Sequence, residues 1–390
     1  MKKTLSIIFI LCLILSLSAC TELGENFNNS APNSMNVNAT PDITVSSENS
    51  STATSSKVPS SSEVPSSSVE DESSSKPPVK KKKTFKIKLS FAGDVMIASS
   101  DTMTYKGSFT QYADENTPDY FLSDVQSVFA NDDFTTVNLE NVLSDDEELE
   151  KRDKGEGRAF WFRAPTDYTK ILTMGSVEGV SIANNHTYDY GYKGYKDTTA
   201  AVKAAGLNYG NFEEIMYYEK NGFKIAVICY GLWRPNGVPT IKNLLKKAEK
   251  NSDYQILYFH GGEEGIYAPE EWKIEACHEL VDAGADLIIG NHPHVLQPRE
   301  IYKDTEIIYS LGNFCFGGNK KPKKNTIIYQ MELTVNKKSL KVTNEKSSII
   351  PCYVYEGNWN NYKPCLIKDK KEKKQVLDFM NGIEKSPYLS

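Results

Sequence analysis

The sequence contains little histidine, with only five residues among 390. Four of the five fall into three short clusters, around His186, at His260, and at His292 and His294, and only His278 lies outside them. Neutral imidazole is the commonest protein ligand for mid-series divalent metals. The clustering of so rare a side chain therefore indicates a metal site.

The chain also lacks any basic stripe interleaved with aromatic residues, and its formal net charge is −6. Proteins that bind nucleic acid through their surface carry such a stripe because it neutralises phosphates. We therefore predict no nucleic-acid partner.

The apolar run at the N-terminus, Leu5–Leu17, is too short to span a bilayer comfortably. Lys2 and Lys3 precede it, as in an export signal. It ends at Leu17–Cys20, which resembles a bacterial lipobox, where the cysteine is lipidated and becomes the mature N-terminus. We predict a signal peptide over residues 1–20 with lipidation at Cys20. An ordinary signal peptide with a chance cysteine and a short uncleaved anchor are the alternatives.

Residues 21–83 are rich in Ser, Thr, Asn and Pro and close with four lysines. Such a segment buries too little apolar surface to offset the entropy of ordering, which predicts a disordered linker. The remaining chain, roughly 300 residues, is long enough for one large or two small domains. We predict a folded domain over 84–355 and a C-terminal extension over 356–390.

The cysteines say little about function. Five of them follow the signal region, an odd number, so they cannot all be paired within the chain. Cys352 and Cys365 could pair in an exported protein, and the sequence leaves that question open. The other three lie in apolar stretches and are predicted core thiols: Cys229, Cys277 and Cys315.

Strand-like and helix-like segments alternate along the folded part. Open α/β sheets build their sites beyond the carboxyl ends of strands. Residues able to bind metal or handle protons follow each of five β-prone runs: Phe85–Phe91 before Asp94, Phe134–Leu139 before Glu140, Val177–Ala183 before Asn184, Tyr254–Phe259 before His260, and Ala285–Ile289 before His292.

Turn and helix signals complete the pattern. Glycine at the C′ position closes helical segments over about Tyr195–Ala205 and Glu270–Ala283. Asn221-Gly222 predicts a hairpin, and Thr326–Val335 and Leu340–Ile350 predict a pair of strands. We expect an α/β fold with one mixed sheet or two packed sheets and helices outside.

Two divalent cations need a bridging carboxylate, further O and N ligands, and an open position for water. Asp94 and Glu140 are the acids at strand ends, and Asn185 can offer its carbonyl oxygen. In an extended segment the i, i+2 spacing of His292-Pro293-His294 would put both imidazoles on one side. The histidines offering nitrogen are His260, His292 and His294.

These residues resemble the motif series of the calcineurin-like metallophosphoesterases. The longer strings are similar to those of the CapA capsule-synthesis family, which is associated with poly-γ-glutamate capsule production. The similarity implies an αββα sandwich of two packed mixed sheets with helices outside. It covers about Leu89 to Phe316 in five ordered strings: Gly93–Met96, Phe162–Pro165, Ala183–Gly191, Asn291–Gln297 and Tyr309–Phe314.

The resemblance also implies roles for single residues. One metal would be held by Asp94, Glu140 and His294. A second would be held by Glu140, Asn185, His260 and His292, so that Glu140 bridges. His186 would donate a proton to the leaving group. The cofactor implied is one or two divalent ions of manganese, iron or zinc.

The chain departs from the wider pattern at three positions. Met96 stands where the phosphoesterases have a histidine ligand, Glu140 stands where they have aspartate, and Gly261 replaces a tryptophan common among CapA relatives. The first metal would therefore have one ligand fewer, which puts phosphatase activity in doubt.

Other polar positions are open to two interpretations. Arg163 could bind an anionic substrate group bidentately or form a structural ion pair. Glu263 and Glu264 could support the site and touch substrate, or belong to a solvated turn. Asp189 could cap a helix or orient the loop that carries His186.

The function implied by the resemblance is that of a lipid-anchored protein on the outer face of a Gram-positive-type cell. It would act in making, exporting or attaching a capsule polymer, poly-γ-glutamate or similar, through metal-dependent hydrolase or transfer chemistry. Its partners would be the anionic polymer or its precursor, the membrane, and a membrane synthase complex. The alternatives are a conventional metallophosphoesterase acting on nucleotides or wall phosphodiesters, and a non-catalytic polymer-binding scaffold.

Overall fold

The structure is a computed structural model that describes residues 83–157 and 159–389. The predicted signal peptide, the lipidation site Cys20 and nearly all of the predicted linker fall outside those residues. Within the described ranges, no helix is both long and apolar enough to cross a membrane.

The described residues form sixteen strands, most of them short. In chain order they are β1 (Thr84–Met96), β2 (Phe134–Leu139), β3 (Val142–Leu143), β4 (Arg163–Ala164), β5 (Gly179–Ser181), β6 (Asn208–Gly210), β7 (Met216–Lys220), β8 (Phe223–Gly231), β9 (Tyr254–His260), β10 (Leu287–Asn291), β11 (Leu296–Tyr302), β12 (Thr305–Leu311), β13 (Asn313–Phe316), β14 (Asn325–Asn336), β15 (Val342–Tyr353) and β16 (Cys365–Leu366).

Seven α-helices and three short 3-10 helices accompany these strands in the described part of the chain. The α-helices are α1 (Phe109–Glu115), α2 (Gln126–Phe129), α3 (Thr169–Met174), α4 (Gly191–Ala204), α5 (Val238–Glu249), α6 (Glu271–Asp282) and α7 (Lys370–Met380). The 3-10 helices are Pro118–Tyr120, Thr166–Tyr168 and Pro235–Gly237.

Fourteen of the strands build two mixed sheets, and β3 and β4 pair in parallel as a separate two-stranded sheet. The first has the order β16-β15-β14-β1-β2-β5-β6, with β13 also pairing to β1, and the second has the order β11-β12-β10-β9-β8-β7. In the first sheet β1, β2, β5 and β6 run parallel, and in the second β8, β9, β10 and β12 do. The carboxyl ends of these parallel strands supply the polar residues predicted above.

Three apolar clusters separate four layers. One lies between the two sheets and includes Leu89 of β1 and Ile256 of β9. A second packs the outer face of the first sheet against α2, α3 and α4. A third packs the second sheet against α5 and α6. The layers are thus helix, sheet, sheet and helix, which confirms the predicted αββα class.

The predicted elements are present, although the strand predicted over Val177–Ala183 is confined to β5 and α4 begins four residues before its predicted start at Tyr195. The run Phe134–Leu139 is β2 itself, and the helix predicted over Glu270–Ala283 is α6. Asn221 and Gly222 have φ values of 54° and 84°, the left-handed pair that a tight hairpin between β7 and β8 requires. The paired C-terminal strands are β14 and β15.

Strand β1 continues two residues past the predicted stop at Gly93-Asp94. It does so because β13 pairs in parallel with Asp94 and Met96 of β1. The register shifts in the pairing of β1 with β13 and in its pairing with β2. A Cβ at Gly93 would lie 1.8 Å from the carbonyl oxygen of Gly312, and Asp94 N donates to that oxygen at 3.0 Å. The glycine therefore permits the close backbone crossing that directs Asp94 into the site.

All five cysteines of the described region are buried free thiols. Cys365 pairs with Tyr353 and Leu366 with Cys352 across the β15–β16 ladder. Because successive side chains of a strand alternate between faces, Cys352 and Cys365 point to opposite sides of the sheet. That register explains why the two thiols are unpaired.

Residues beyond 355 pack into the same cores. The Tyr362 ring is buried in the apolar cluster between the outer face of the first sheet and its helices, and its hydroxyl donates to Gly107 O at 2.8 Å. Helix α7 buries Val376 and Phe379 in the cluster between the sheets. These residues therefore close one edge of the fold.

Candidate metal centre

The site lies where the two sheets present their carboxyl ends side by side. Asp94 comes from β1, Glu140 directly follows β2, and His260 ends β9. Two loops complete the site: residues 184–186 follow β5, and residues 292–294 follow β10. The structure therefore brings together all the predicted metal ligands and the predicted proton donor.

The first predicted ligand set is assembled around two carboxylates. His294 Nδ1 lies 3.1 Å from Asp94 Oδ2, and His294 Nε2 lies 3.9 Å from Glu140 Oε1. One potential ligand atom from each of these three residues falls within 4.8 Å of the other two. This spacing suits a single bound cation.

The second predicted ligand set shares Glu140. His260 Nε2 lies 3.5 Å from Glu140 Oε1, 3.0 Å from His292 Nδ1, and 2.8 Å from Asn185 Oδ1. Glu140, His260 and His292 also offer ligand atoms within 4.8 Å of one another. Asn185 therefore lies beside this set, and Glu140 belongs to both.

Glu140 has an unusual environment for a carboxylate. Its side chain is 0% exposed, and neither carboxylate oxygen has a hydrogen-bond partner in the structure. A buried charged group without a partner is costly, so the great majority are paired or coordinate a metal. The orphaned oxygens therefore fit a bridging ligand.

The pKa shifts of the acids and histidines also indicate that the site is short of positive charge. Burial raises the pKa of Glu140, and the nearby Asp94 charge raises it further. Burial also disfavours ionised Asp94, but hydrogen bonds from His260 and His294 outweigh it and lower the Asp94 pKa. Burial lowers the pKa of His260 and of His292.

His294 behaves in the opposite way from the other two histidines. Burial would lower its pKa, yet the charge of Glu140 and the hydrogen bond with Asp94 raise it to about 10. A proton on His294 thus offsets negative charge at the site when no cation is bound. Binding of a metal there would release that proton.

Two buried asparagines hold the candidate ligands in place: Asn184, which was predicted only as a polar residue after a strand, and Asn138, which was given no role. Asn138 Nδ2 donates to Asp94 Oδ1 at 2.8 Å and lies 3.0 Å from His260 Nδ1. Asn184 Nδ2 donates to Asn138 Oδ1 at 3.1 Å. The available signal for Asn138 was its position two residues before Glu140 at the end of a β-prone run, where alternation would place both side chains on one face.

His186 forms a dyad with Asp189. His186 Nδ1 donates to Asp189 Oδ2 at 2.8 Å, which leaves Nε2 directed toward the cluster, 4.0 Å from Glu140 Oε1. Asp189 also accepts from Phe162 N at 2.8 Å and pairs with Lys154 at 2.5 Å. Burial lowers the pKa of His186, and Asp189 partly offsets this effect.

Asp189 thus orients His186 and does not cap a helix. Helix α4 starts at Gly191 with Tyr190 at its N-cap, and no side chain caps it. The helix-cap interpretation is therefore wrong, because the Asp189 carboxylate is already bonded to His186, Phe162 and Lys154.

The segment His292-Pro293-His294 is not extended, contrary to expectation. His292 and His294 have φ values of 97° and 56°, in the left-handed region that non-glycine residues seldom adopt. The segment turns, so His292 approaches His260 while His294 approaches Asp94. Backbone strain of this kind costs about 1–3 kcal/mol per residue and clusters at functional sites.

Met96 lies in the apolar core and is 1% exposed. It therefore offers no ligand at the position where a histidine is usual. Glu264 lies on the open side of the cluster and offers an oxygen within 4.8 Å of ligand nitrogens of His292 and His294. This exposed carboxylate is the further candidate ligand that the structure adds.

Two predicted substrate-binding residues do not reach the cluster through any described contact. The Arg163 guanidinium donates to the carbonyl oxygen of Asp146 and lies 5.8 Å from the centroid of the Tyr190 ring. Glu263 is exposed, and its backbone N donates to Glu270 Oε1 at 2.5 Å. Glu264, one residue later, faces the site instead.

The donor set fits a mid-series divalent cation. It combines imidazole nitrogens with carboxylate and amide oxygens, which suit manganese, iron and zinc. The cluster is therefore a candidate metal site on the chemistry of its donors and on the unpartnered oxygens of Glu140.

Comparison with known proteins gives consistent matches. The model of the bacterial capsule synthesis protein family PGA_cap matches residues 88–318. The capsule biosynthesis protein CapA of Bacillus anthracis is 29% identical over 324 residues, covering 76% of this chain and 74% of that protein. The PGA biosynthesis protein CapA of Bacillus subtilis is 27% identical over 273 residues, covering 64% and 68%.

A solved phosphatase from Mycoplasma pneumoniae overlaps loosely, at 17% identity and a TM-score of 0.42, over 69% of this chain and 94% of that one. A likeness this low implies nothing about chemistry. The family match covers more than half of the chain and includes every residue of the cluster. The chain therefore belongs to the PGA_cap family of bacterial capsule synthesis proteins.

Proposed function

We propose that this protein acts in the biosynthesis, export or attachment of a capsule polymer of the poly-γ-glutamate type, through divalent-metal-dependent hydrolase or transfer chemistry. Family membership supports the capsule role. The single observation that carries the metal chemistry is the buried Glu140 carboxylate, whose two oxygens have no donor. The membrane synthase complex that supplies the polymer is the partner we propose.

The ligand assignment follows the distances. Asp94, Glu140 and His294 would hold one cation, and Glu140, His260 and His292 a second, with Asn185 beside it. A divalent cation supplies Lewis acidity, which activates water and stabilises developing negative charge.

The protein's own groups would position and protonate the substrate. Asp189 holds the His186 ring so that Nε2 faces the cluster, from which it can deliver a proton to a leaving group. The Phe162 ring packs edge-on against His186, with ring centroids 4.8 Å apart. Glu264 borders the opening of the cluster.

Incubation of the purified protein with poly-γ-glutamate tests the proposal. We expect new polymer ends, or a change in chain length, with added Mn²⁺ and none with chelator. A chromogenic phosphodiester is the comparison substrate. Turnover of the phosphodiester alone would instead identify a conventional metallophosphoesterase. Binding of the polymer without turnover under any metal would identify a scaffold.

We also propose a lipid anchor at the extracellular face of the cell membrane, on the evidence of Leu17–Cys20. Cys20→Ser should release the protein into the medium or leave an uncleaved precursor. The measurement is partitioning between detergent and aqueous phases, with Cys12→Ser as the matched control. Unchanged detergent partitioning together with a free Cys20 thiol would contradict the anchor.

A further inference from the structure

Two adjoining clefts extend from the side chains of the candidate metal site across one loop. The first has a volume of about 350 Å³ and reaches from His294 and Glu264 to Lys321 and Lys323. The second has a volume of about 380 Å³, shares Lys321 and Lys323 with the first, and extends to Lys324. Because they share Lys321, Pro322 and Lys323, the two clefts together form one groove that runs from His294 to Tyr388.

The groove walls carry excess positive charge. Lys321, Lys323 and Lys324 line it, and the carboxylate side chain among its described lining residues is that of Glu264, at the metal end. None of the three lysines forms a salt bridge with an acid in the described ranges. Their charges are therefore available to an anionic ligand.

The loop that carries these lysines is held in place from several sides. Asn360 Nδ2 donates to Phe316 O at 2.8 Å and to Asn319 O at 3.0 Å. On the far side, Lys320 Nζ donates to Thr104 O at 3.0 Å. The loop backbone is thus pinned before any ligand arrives.

Aromatic rings position two of the lysine ammonium groups. Lys321 Nζ lies 5.5 Å from the centroid of Trp359, which is 68% exposed, and Lys324 Nζ lies 4.4 Å from that of Tyr353. The face of an aromatic ring attracts a cation, and this attraction favours the observed positions of the two ammonium groups. An exposed tryptophan beside a lysine also offers an apolar surface to the methylene groups of a polymer.

We propose that this groove, the lysine track of Lys321, Lys323 and Lys324, binds a linear polymer of carboxylates and leads it to the metal cluster. The inference rests on the proposed function for the identity of the polymer, and on the clefts and charges for its location. Compact ammonium groups spaced along a groove match repeated single carboxylates. A polymer held there would place one repeat at His294 while neighbouring repeats contact the lysines.

The test is equilibrium binding of fluorescently labelled poly-γ-glutamate by anisotropy, in chelator, so that track binding is measured apart from metal chemistry. Replacing all three track lysines with glutamine should weaken binding by about tenfold or more, since each exposed pair contributes modestly. Binding by the parent should also weaken with salt. The matched control removes the same charge by replacing Lys337, Lys338 and Lys341 with glutamine.

The control lysines lie at the β14–β15 turn, at the opposite end of a strand about 35 Å long. We expect the control to bind within twofold of the parent. Equal weakening by both triple variants, unchanged binding by the track variant, or tighter binding of a phosphodiester polymer than of poly-γ-glutamate would each overturn the track. If the parent protein binds the polymer but shows no metal-dependent turnover of it, the proposed chemistry is wrong and the proposal for the lysine track is unaffected.

Discussion

Glu140→Gln should make the metal-free protein more stable and abolish its stabilisation by divalent cations. The parent carboxylate is 0% exposed and lacks any hydrogen-bond donor, and burial and the Asp94 charge raise its pKa. Burying an ionised carboxylate without a partner is costly, and a neutral amide of nearly the same shape removes that charge. In the parent, a cation at one hundred times its Kd would stabilise the fold by about 2.7 kcal/mol.

The order of stability should therefore reverse when metal is added. In chelator the variant should unfold at a higher denaturant concentration than the parent, and in Mn²⁺ at a lower one. Elemental analysis should find the largest loss of bound metal in this variant, because Glu140 belongs to both ligand sets. Glu263→Gln is the matched control, since it removes an exposed carboxylate outside the cluster. A variant that binds metal as fully as the parent would contradict the bridging role.

The metal-free parent should also show a characteristic dependence of stability on pH. A carboxyl group whose pKa is raised by folding lowers the free energy of unfolding as the pH rises above its unfolded value of about 4.3. The free energy of unfolding stops falling once the pH exceeds the pKa of this carboxyl group in the folded protein. Glu140→Gln should lack this component of the pH dependence, measured by chemical denaturation in chelator at successive pH values.

His186→Asn should keep the bound metal yet lose on the order of 10²–10⁴ in the rate of the metal-dependent reaction, the usual contribution of a positioned general acid. Asparagine can still donate to Asp189 Oδ2, as His186 Nδ1 does, but it removes the Nε2 that faces Glu140. The measurements are metal stoichiometry by elemental analysis and the appearance of new polymer ends.

His292→Asn is the contrasting variant, because it should lower the metal content itself. His292 has a φ of 97°, and asparagine tolerates positive φ better than alanine does, so the loss of a ligand is separated from backbone strain. Asp189→Asn should keep the metal and alter the pH profile of the rate, since Asp189 is outside both ligand sets, orients His186 and raises its pKa. If His186→Asn loses as much metal as His292→Asn, the division of roles is wrong.

Local patterns in the sequence were sufficient for the elements and for naming candidate ligands. The run Phe134–Leu139 is the observed β2, and Asn221-Gly222 forms the hairpin, because alternation and turn chemistry act within a few residues. The candidate ligands could be named because each lies at the end of a β-prone run or within a few residues after it, in strings that resemble those of a known family. Parallel strands then bring their carboxyl ends to one edge, as the sheets do here.

Only the tertiary structure decided how those residues act together. The unpartnered oxygens of Glu140, the buried Asn138 bridge between Asp94 and His260, and the approach of Glu264 depend on contacts across two sheets. The left-handed turn at His292 and His294 is strained, and only the surrounding fold can hold it, so local preference predicted the wrong conformation. Charge balance and strain are properties of the assembled site, whereas periodicity and turn preference belong to the chain itself.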